Sequence, residues 1–227
     1  MTQPRAAIEH VLRLAARALA RHALVHAYGH ASARIDDRHF LVTPPHPLGR
    51  VRLDTPPALC GLDGELPAHA LPEVRVHQAI YAARPDVGGM CRFQSPHVIA
   101  LSAIGRTPRA LHGLGAYFAP SAALWDDPML IRDPERAAAL AAQLAGGRAI
   151  VLRGNGAVTV GATLREAACH AFFLEDAARV ELSVLATGQP ATAYSAEQAA
   201  RRGSGEGPLY DRMWEFLVGD DLPEAQS

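Results

Sequence analysis

The chain has 227 residues, 49% of them hydrophobic, and a formal charge of −1. That length and apolar fraction suffice for one compact domain with a sizeable core. The near-neutral charge speaks against nucleic acid or a membrane surface as partner, and no apolar run reaches the roughly 18 residues of a membrane span. The start, MTQPRAAIEH, is charged and amphipathic, unlike a signal peptide. Cys60, Cys91 and Cys169 show no C-x-x-C spacing, which suits buried free thiols and a cytoplasmic location. The 11 histidines form neither H-x-H nor H-E-x-x-H, so a compact metal motif is missing from the sequence.

Ile8, Val11, Leu12, Ala15 and Leu19 recur at helical spacing and predict an amphipathic helix over about residues 4–22. Strand-like runs follow at HASARI (30–35) and HFLVTP (39–44). Residues 44–57 are rich in proline and read as loop. ALCGLDG (58–64) predicts a short strand ending in an Asp-Gly turn. Pro72 opens a helix in LPEVRVHQAIYAARPDV that stops before Pro85. The strand GMCRFQ is next, followed by SPHVIALSAIG, a short helix with Ser95 as N-cap and Pro96 in its first turn. Residues 111–131 mix glycines with apolar side chains and fit a helix only loosely. Asp133-Pro134 starts a helix to about Leu144, and RAIVLRG (148–154) and GAVTVG (156–161) read as paired strands. Thr163 and Glu166 form a capping box for a long helix ending at Gly188, with Leu164, Ala167, Ala168, Ala171, Phe172, Leu182 and Leu185 on its buried face. A Gly-rich break at 201–207 precedes a last short helix, LYDRMWEFLVG. Interleaved strands and helices, without repeats or a linker, predict one α/β domain over 1–227, layered α/β/α, with 201–227 as a C-terminal tail.

Within GGMCRFQSPH, Arg92 and Gln94 are two residues apart on an otherwise apolar strand. Such residues share a face, and a guanidinium is rarely buried without a partner. The two side chains therefore aim together at something.

The segments YGHASARI, FLVTPPHPLG, LPEVRVHQAIYAARPDV, CRFQSP and VLRGNGAVTVGATLREAACHAFFLEDAARV, in this order, resemble the class II aldolase/adducin family over about residues 5–190. The last segment carries most of the specificity. The G-H-x-S form of the first motif is more similar to decarboxylase-like members than to sugar-phosphate aldolases. The resemblance implies a central mixed, largely antiparallel sheet, a cyclic homotetramer with active sites at subunit interfaces, and a divalent metal on three histidines. At the metal-ligand positions this chain carries Arg92, Gln94 and Asn155. Arginine offers no lone pair, and amide oxygens are weak ligands for a transition metal. The expectation is a chain with no metal at this site and no cofactor, in which Arg92 takes over the metal's electrostatic task. A relocated metal site on His30, Glu73 and His112 is the alternative.

Glu73 matches the family's general acid/base, and His30 is a proton donor or carboxylate ligand. Ser32, Thr43, Gln94, Asn155, His112 and Tyr117 are the candidate substrate-binding residues. His77, one helical turn after Glu73, is expected to orient it or to pack. The Pro44-Pro45 loop lacks the backbone N–H groups of a phosphate nest, and Leu71-Pro72 stands where the family has phosphate-binding serines, so a sugar phosphate is disfavoured. The expected activity is that of a metal-independent carbon–carbon lyase, decarboxylating or cleaving a carboxylated aromatic or enolisable small molecule. Three other readings stand beside it: an adducin-like scaffold, a ligand-binding protein, or a biosynthetic cyclase or isomerase using the same pocket. In a scaffold, Arg92 would be neutralised by an ion pair with Glu73.

Overall fold

The computed structural model describes residues 4–52, 54–205 and 208–219. Its elements in chain order are α1 (Arg5–Arg21), β1 (His30–Arg34), β2 (His39–Val42), β3 (Ala58–Gly61), α2 (Arg75–Ala83), β4 (Gly89–Phe93), α3 (Pro96–Ala103), β5 (Ala123–Trp125), α4 (Pro134–Leu144), β6 (Ala149–Leu152), β7 (Ala157–Gly161), α5 (Leu164–Ala186), α6 (Ala196–Arg202) and α7 (Leu209–Val218). The strands form a seven-stranded sheet in the order β3-β2-β1-β4-β7-β6-β5. Every pair is antiparallel except β5 with β6. The α/β fold and its mixed, largely antiparallel sheet are thus as the resemblance implied.

Strand alternation divides the core between the two faces of the sheet. Ala31, Cys91, Phe93 and Val151 pack with α1, α3, α5 and α7. Phe40, Met90, Ile150, Val158 and Val160 pack with α2 and α4. Arg92 has the parity of Met90, so it belongs to the α2/α4 face. The register fixes its row: His30 lies opposite Arg92, Arg92 opposite Val158, Val158 opposite Ile150, and Ile150 beside Ala123.

Local chemistry explains where the expected elements changed. Residues 111–131 hold a 3-10 turn at Gly115–Phe118 and then β5, not a helix. Gly113, Gly115 and Pro120 interrupt helical propagation there, and pairing with β6 supplies β5 with backbone partners. Ser95 sits at the N-cap of α3, but its hydroxyl makes no capping bond and is buried without a partner. Glu175 of α5 does that work, accepting from His97 N at 3.1 Å and Val98 N at 3.0 Å. Thr163 caps α5 by accepting from Glu166 N, while the Glu166 carboxylate reaches Ala162 N, one residue before the cap. Helix α6 was missing from the sequence reading, although Ser195 and Gln198 form a complete capping box. The Gly-rich break lies partly outside the described residues. Among the described residues no helix is long and apolar enough to cross a membrane, and Cys60, Cys91 and Cys169 are buried free thiols.

Candidate active site

The site sits at one end of β4, on the α2/α4 face. Arg92 is only 7% exposed, and no hydrogen bond or ion pair joins its guanidinium to another described residue. Burial pulls its pKa down to about 10, against the opposing field of Glu73, so it keeps its proton at neutral pH. Glu73, in the 3-10 turn Pro72–Val74 ahead of α2, is held by Arg132, whose Nε lies 2.8 Å from Glu73 Oε1. An ion pair between Glu73 and Arg92 is therefore not what neutralises either group. Glu73, Arg92 and Asn155 line one cavity with Trp125. Its free space is about 20 Å³, enough for an atom or two of a ligand.

Asn155 reaches this place through the β6–β7 turn. Gly156 has φ +85°, and a Cβ there would lie 2.0 Å from Phe93 O. Only glycine lets the turn close against the end of β4. Gln94 Nε2 then donates to Asn155 Oδ1 at 2.6 Å. Gln94 and Asn155 thus meet from two different elements, and Asn155 lines a cavity with Arg92, but the donors of the three do not suit a divalent cation. Arg92 is itself a cation without a lone pair, and the Asn155 amide oxygen already accepts from Gln94. Among the described residues no group of three His, Cys, Asp or Glu side chains is placed to hold a metal ion. The relocated site also fails geometrically. His112 Nδ1 faces Asp176 Oδ2 on α5 at 3.9 Å, in the layer across the sheet from Arg92.

Beside Arg92 runs a buried hydrogen-bonded chain. His30 Nδ1 lies 2.7 Å from His77 Nε2, Ser32 Oγ 2.6 Å from His77 Nδ1, and Ser32 Oγ 2.9 Å from Tyr81 OH. Burial first, then the charges of His77 and Arg92, holds His30 well below its ordinary pKa. Burial and Arg92 lower His77 to about 3. Both imidazoles are neutral at physiological pH. His77 therefore binds to His30 and Ser32 and does not orient Glu73. The Ser32 hydroxyl is occupied within the chain, and Thr43 Oγ1 accepts from Ala31 N at 3.2 Å, tying β1 to the end of β2. Tyr117 is buried on the α5 face among His170, Phe173 and Tyr210, with Arg148 over its ring at 5.2 Å. Within this chain neither His112 nor Tyr117 joins the Arg92 cluster.

Tyr81, Trp125 and Arg132 escaped the sequence reading as site residues, and His77 was assigned to Glu73 or to packing rather than to His30 and Ser32. A helix-parity signal existed for His77 and Tyr81, four residues apart and facing the sheet. Trp125 and Arg132 lie in segments whose fold was not legible.

Residues 10–182 match the family described as Class II Aldolase and Adducin N-terminal domain. The chain belongs to the class II aldolase and adducin family. It is 26% identical over 189 residues to 3,4-dihydroxyphthalate decarboxylase of Terrabacter sp. (strain DBF63), covering 76% of this chain and 78% of that protein. It is 34% identical over 118 residues to Decarboxylase NovR of Streptomyces niveus, covering 51% of this chain and 43% of that protein. Among solved structures, L-fuculose 1-phosphate aldolase from Glaciozyma antarctica PI12 superposes with a TM-score of 0.80 at 24% identity, over 97% of this chain and 93% of that one. That last likeness shows the shared fold alone. Among class II aldolase relatives, this chain thus has similarity to proteins named as decarboxylases.

Proposed function

We propose that this class II aldolase family member is a lyase that works without a metal at the inherited site, decarboxylating a carboxylated aromatic or enolisable small molecule. The observation that carries the reading is Arg92, a buried guanidinium without a counter-charge in contact. An uncompensated buried cation is costly, and a bound anion relieves that cost. The decarboxylase names of two relatives support the same direction.

In this reading Arg92 binds the substrate carboxylate or the oxyanion next to it through paired N–H donors. In an enolisable acid the bond to the carboxylate carbon breaks, CO2 leaves, the electron pair is delocalised toward a neighbouring oxygen, and a proton then adds to the carbon. In an aromatic acid the proton adds first to the carboxylate-bearing ring carbon, and the electron pair of the breaking bond restores the ring as CO2 leaves. In either order a carboxylate and a proton give CO2 and the product shortened by one carbon. Glu73 is the group that carries the proton, since it lines the cavity. Arg132 holds its carboxylate in place. His30, neutral and tied back by His77, is suited to hydrogen bonding with the substrate and not to carrying the proton. Asn155 adds its side-chain NH2, with Gln94 fixing the amide. Ser32 and Thr43 act at one remove, through His77 and through β1. His112 belongs to a second expectation, a homotetramer in which residues across the sheet serve subunit contacts, whereas Tyr117 is packed inside this chain. Light scattering measures that mass.

One observation favours a second reading, a ligand-binding protein or adducin-like scaffold. Gln94 and Asn155 partly satisfy each other, and little space is open in the cavity that Asn155 lines with Arg92. The experiment that separates the two is CO2 release from a panel of carboxylated aromatic compounds, with thermal shift as a parallel readout of binding. The lyase reading expects turnover that disappears in Arg92→Ala and in Glu73→Gln. Binding without turnover across the panel supports the scaffold, and Arg92→Ala protein that turns over normally refutes the lyase.

A further inference from the structure

Arg92 is not alone in lacking a partner. The indole Nε1 of Trp125 is buried and has no hydrogen-bond acceptor. A buried Trp N–H ordinarily finds one. The sheet register places the two donors on one face. Ala123 stands in the Arg92 row through Ile150 and Val158, and Trp125, two residues on, shares its side of the sheet next to Leu152. Both line the same cavity. Val76, Ile131 and Leu152 form its apolar wall.

We infer that Trp125 is a substrate-reading residue, and that the ligand of this cavity is an aromatic carboxylate with a second oxygen substituent ortho to the carboxylate, the first group held by Arg92 and the second by the Trp125 N–H. This rests on the reading of Arg92 given above and adds to it. A planar guanidinium takes both oxygens of one carboxylate, which leaves the indole donor for a neighbouring acceptor. The ortho position keeps two oxygens close enough to enter one small space. Apolar walls suit the ring that carries them. Met129 and Leu130, lining the cavity while 65% and 42% exposed, are the side chains that must swing clear for the ring to enter.

The probes are benzoate, 2-hydroxybenzoate and phthalate, titrated by calorimetry into the wild-type chain, Trp125→Phe and Arg92→Ala. The protein labelled with 5-fluorotryptophan gives a second readout. It holds two tryptophans, Trp125 and Trp214, and the signal missing from Trp125→Phe identifies the first. The expected result is about three- to tenfold tighter binding of the ortho-substituted acids than of benzoate, the range of one neutral hydrogen bond. That preference vanishes in Trp125→Phe while benzoate affinity holds, and phthalate shifts the Trp125 fluorine signal. Equal wild-type affinity for all three acids, or a preference that survives Trp125→Phe, overturns the inference and leaves Arg92 as the carboxylate site. If none of the acids binds, or binding persists in Arg92→Ala, the Arg92 reading fails and this one with it. If Trp125→Phe does not fold, an unmoved Trp125 signal in saturated wild-type protein, assigned by Trp214→Phe, overturns the inference.

Discussion

His30 and His77 share a hydrogen bond of 2.7 Å in a place where neither ring accepts a second proton at neutral pH. Each neutral imidazole carries one N–H, so the chain runs one of two ways. Either His30 Nδ1–H donates to His77 and His77 donates to Ser32, or Ser32 donates to His77 and His77 donates to His30. The first leaves His30 Nε2 as an acceptor, and the second makes it a donor. His77 is thus a positioning residue that sets what His30 offers the substrate. Nitrogen-15 spectra of histidine-labelled protein at about pH 6 are expected to show both rings neutral, with the His30 signal moving in His77→Gln. An imidazolium signal from either ring at that pH contradicts the arrangement.

Acid should destabilise the fold well before the carboxylates titrate. His77 is lowered to about 3 and His170 to about 4 from an ordinary 6.5, both mainly by burial. Below 6.5 the unfolded chain binds more protons than the folded one, so stability falls as pH falls. The slope is about 1.4 kcal/mol per pH unit for each group, and the loss from this source runs from 6.5 down to about 4 for His170 and about 3 for His77. His30, also depressed, adds to it. Urea unfolding at about pH 7.5 and about pH 5 checks this, and equal midpoints would refute it.

Arg92→Met should raise stability while removing ligand binding. The guanidinium is buried with no partner in contact, and an apolar side chain of similar length removes that cost, by about 1–3 kcal/mol. If Arg92 were instead half of a structural ion pair with Glu73, the same change would lower the urea midpoint. Denaturation of the two proteins side by side decides between these signs.

Much of the fold was legible because local pattern and tertiary environment agree. Ile8, Leu12, Ala15 and Leu19 gave α1 from spacing and are buried in the structure. Strand parity put Arg92 and Gln94 on one face, and the family resemblance, not parity, singled them out as candidates for a site. What stayed hidden depends on contacts distant in sequence. Nothing near Glu73 announces Arg132, 59 residues away. β5 is three residues long and exists through its pairing with β6, so Trp125 could not be placed on the Arg92 face before the register was known.

Ser95 and Glu175 show the same limit and can be tested. The N-cap position suggested that the Ser95 hydroxyl holds α3, whereas Glu175, 78 residues from His97, accepts its first amides. Glu175→Ala is expected to cost about 2 kcal/mol, and Ser95→Ala less than about 0.5 kcal/mol. Urea midpoints in the reverse order would return the cap to Ser95.

The most direct test of the metal replacement is the metal content of purified protein by plasma mass spectrometry, read together with phthalate binding before and after exhaustive dialysis against a chelator. With Arg92 serving as the cation, zinc, manganese and iron stay at trace level and binding is the same on both sides of the dialysis. One metal per chain, with binding lost on chelation and restored by adding that metal back, would contradict it.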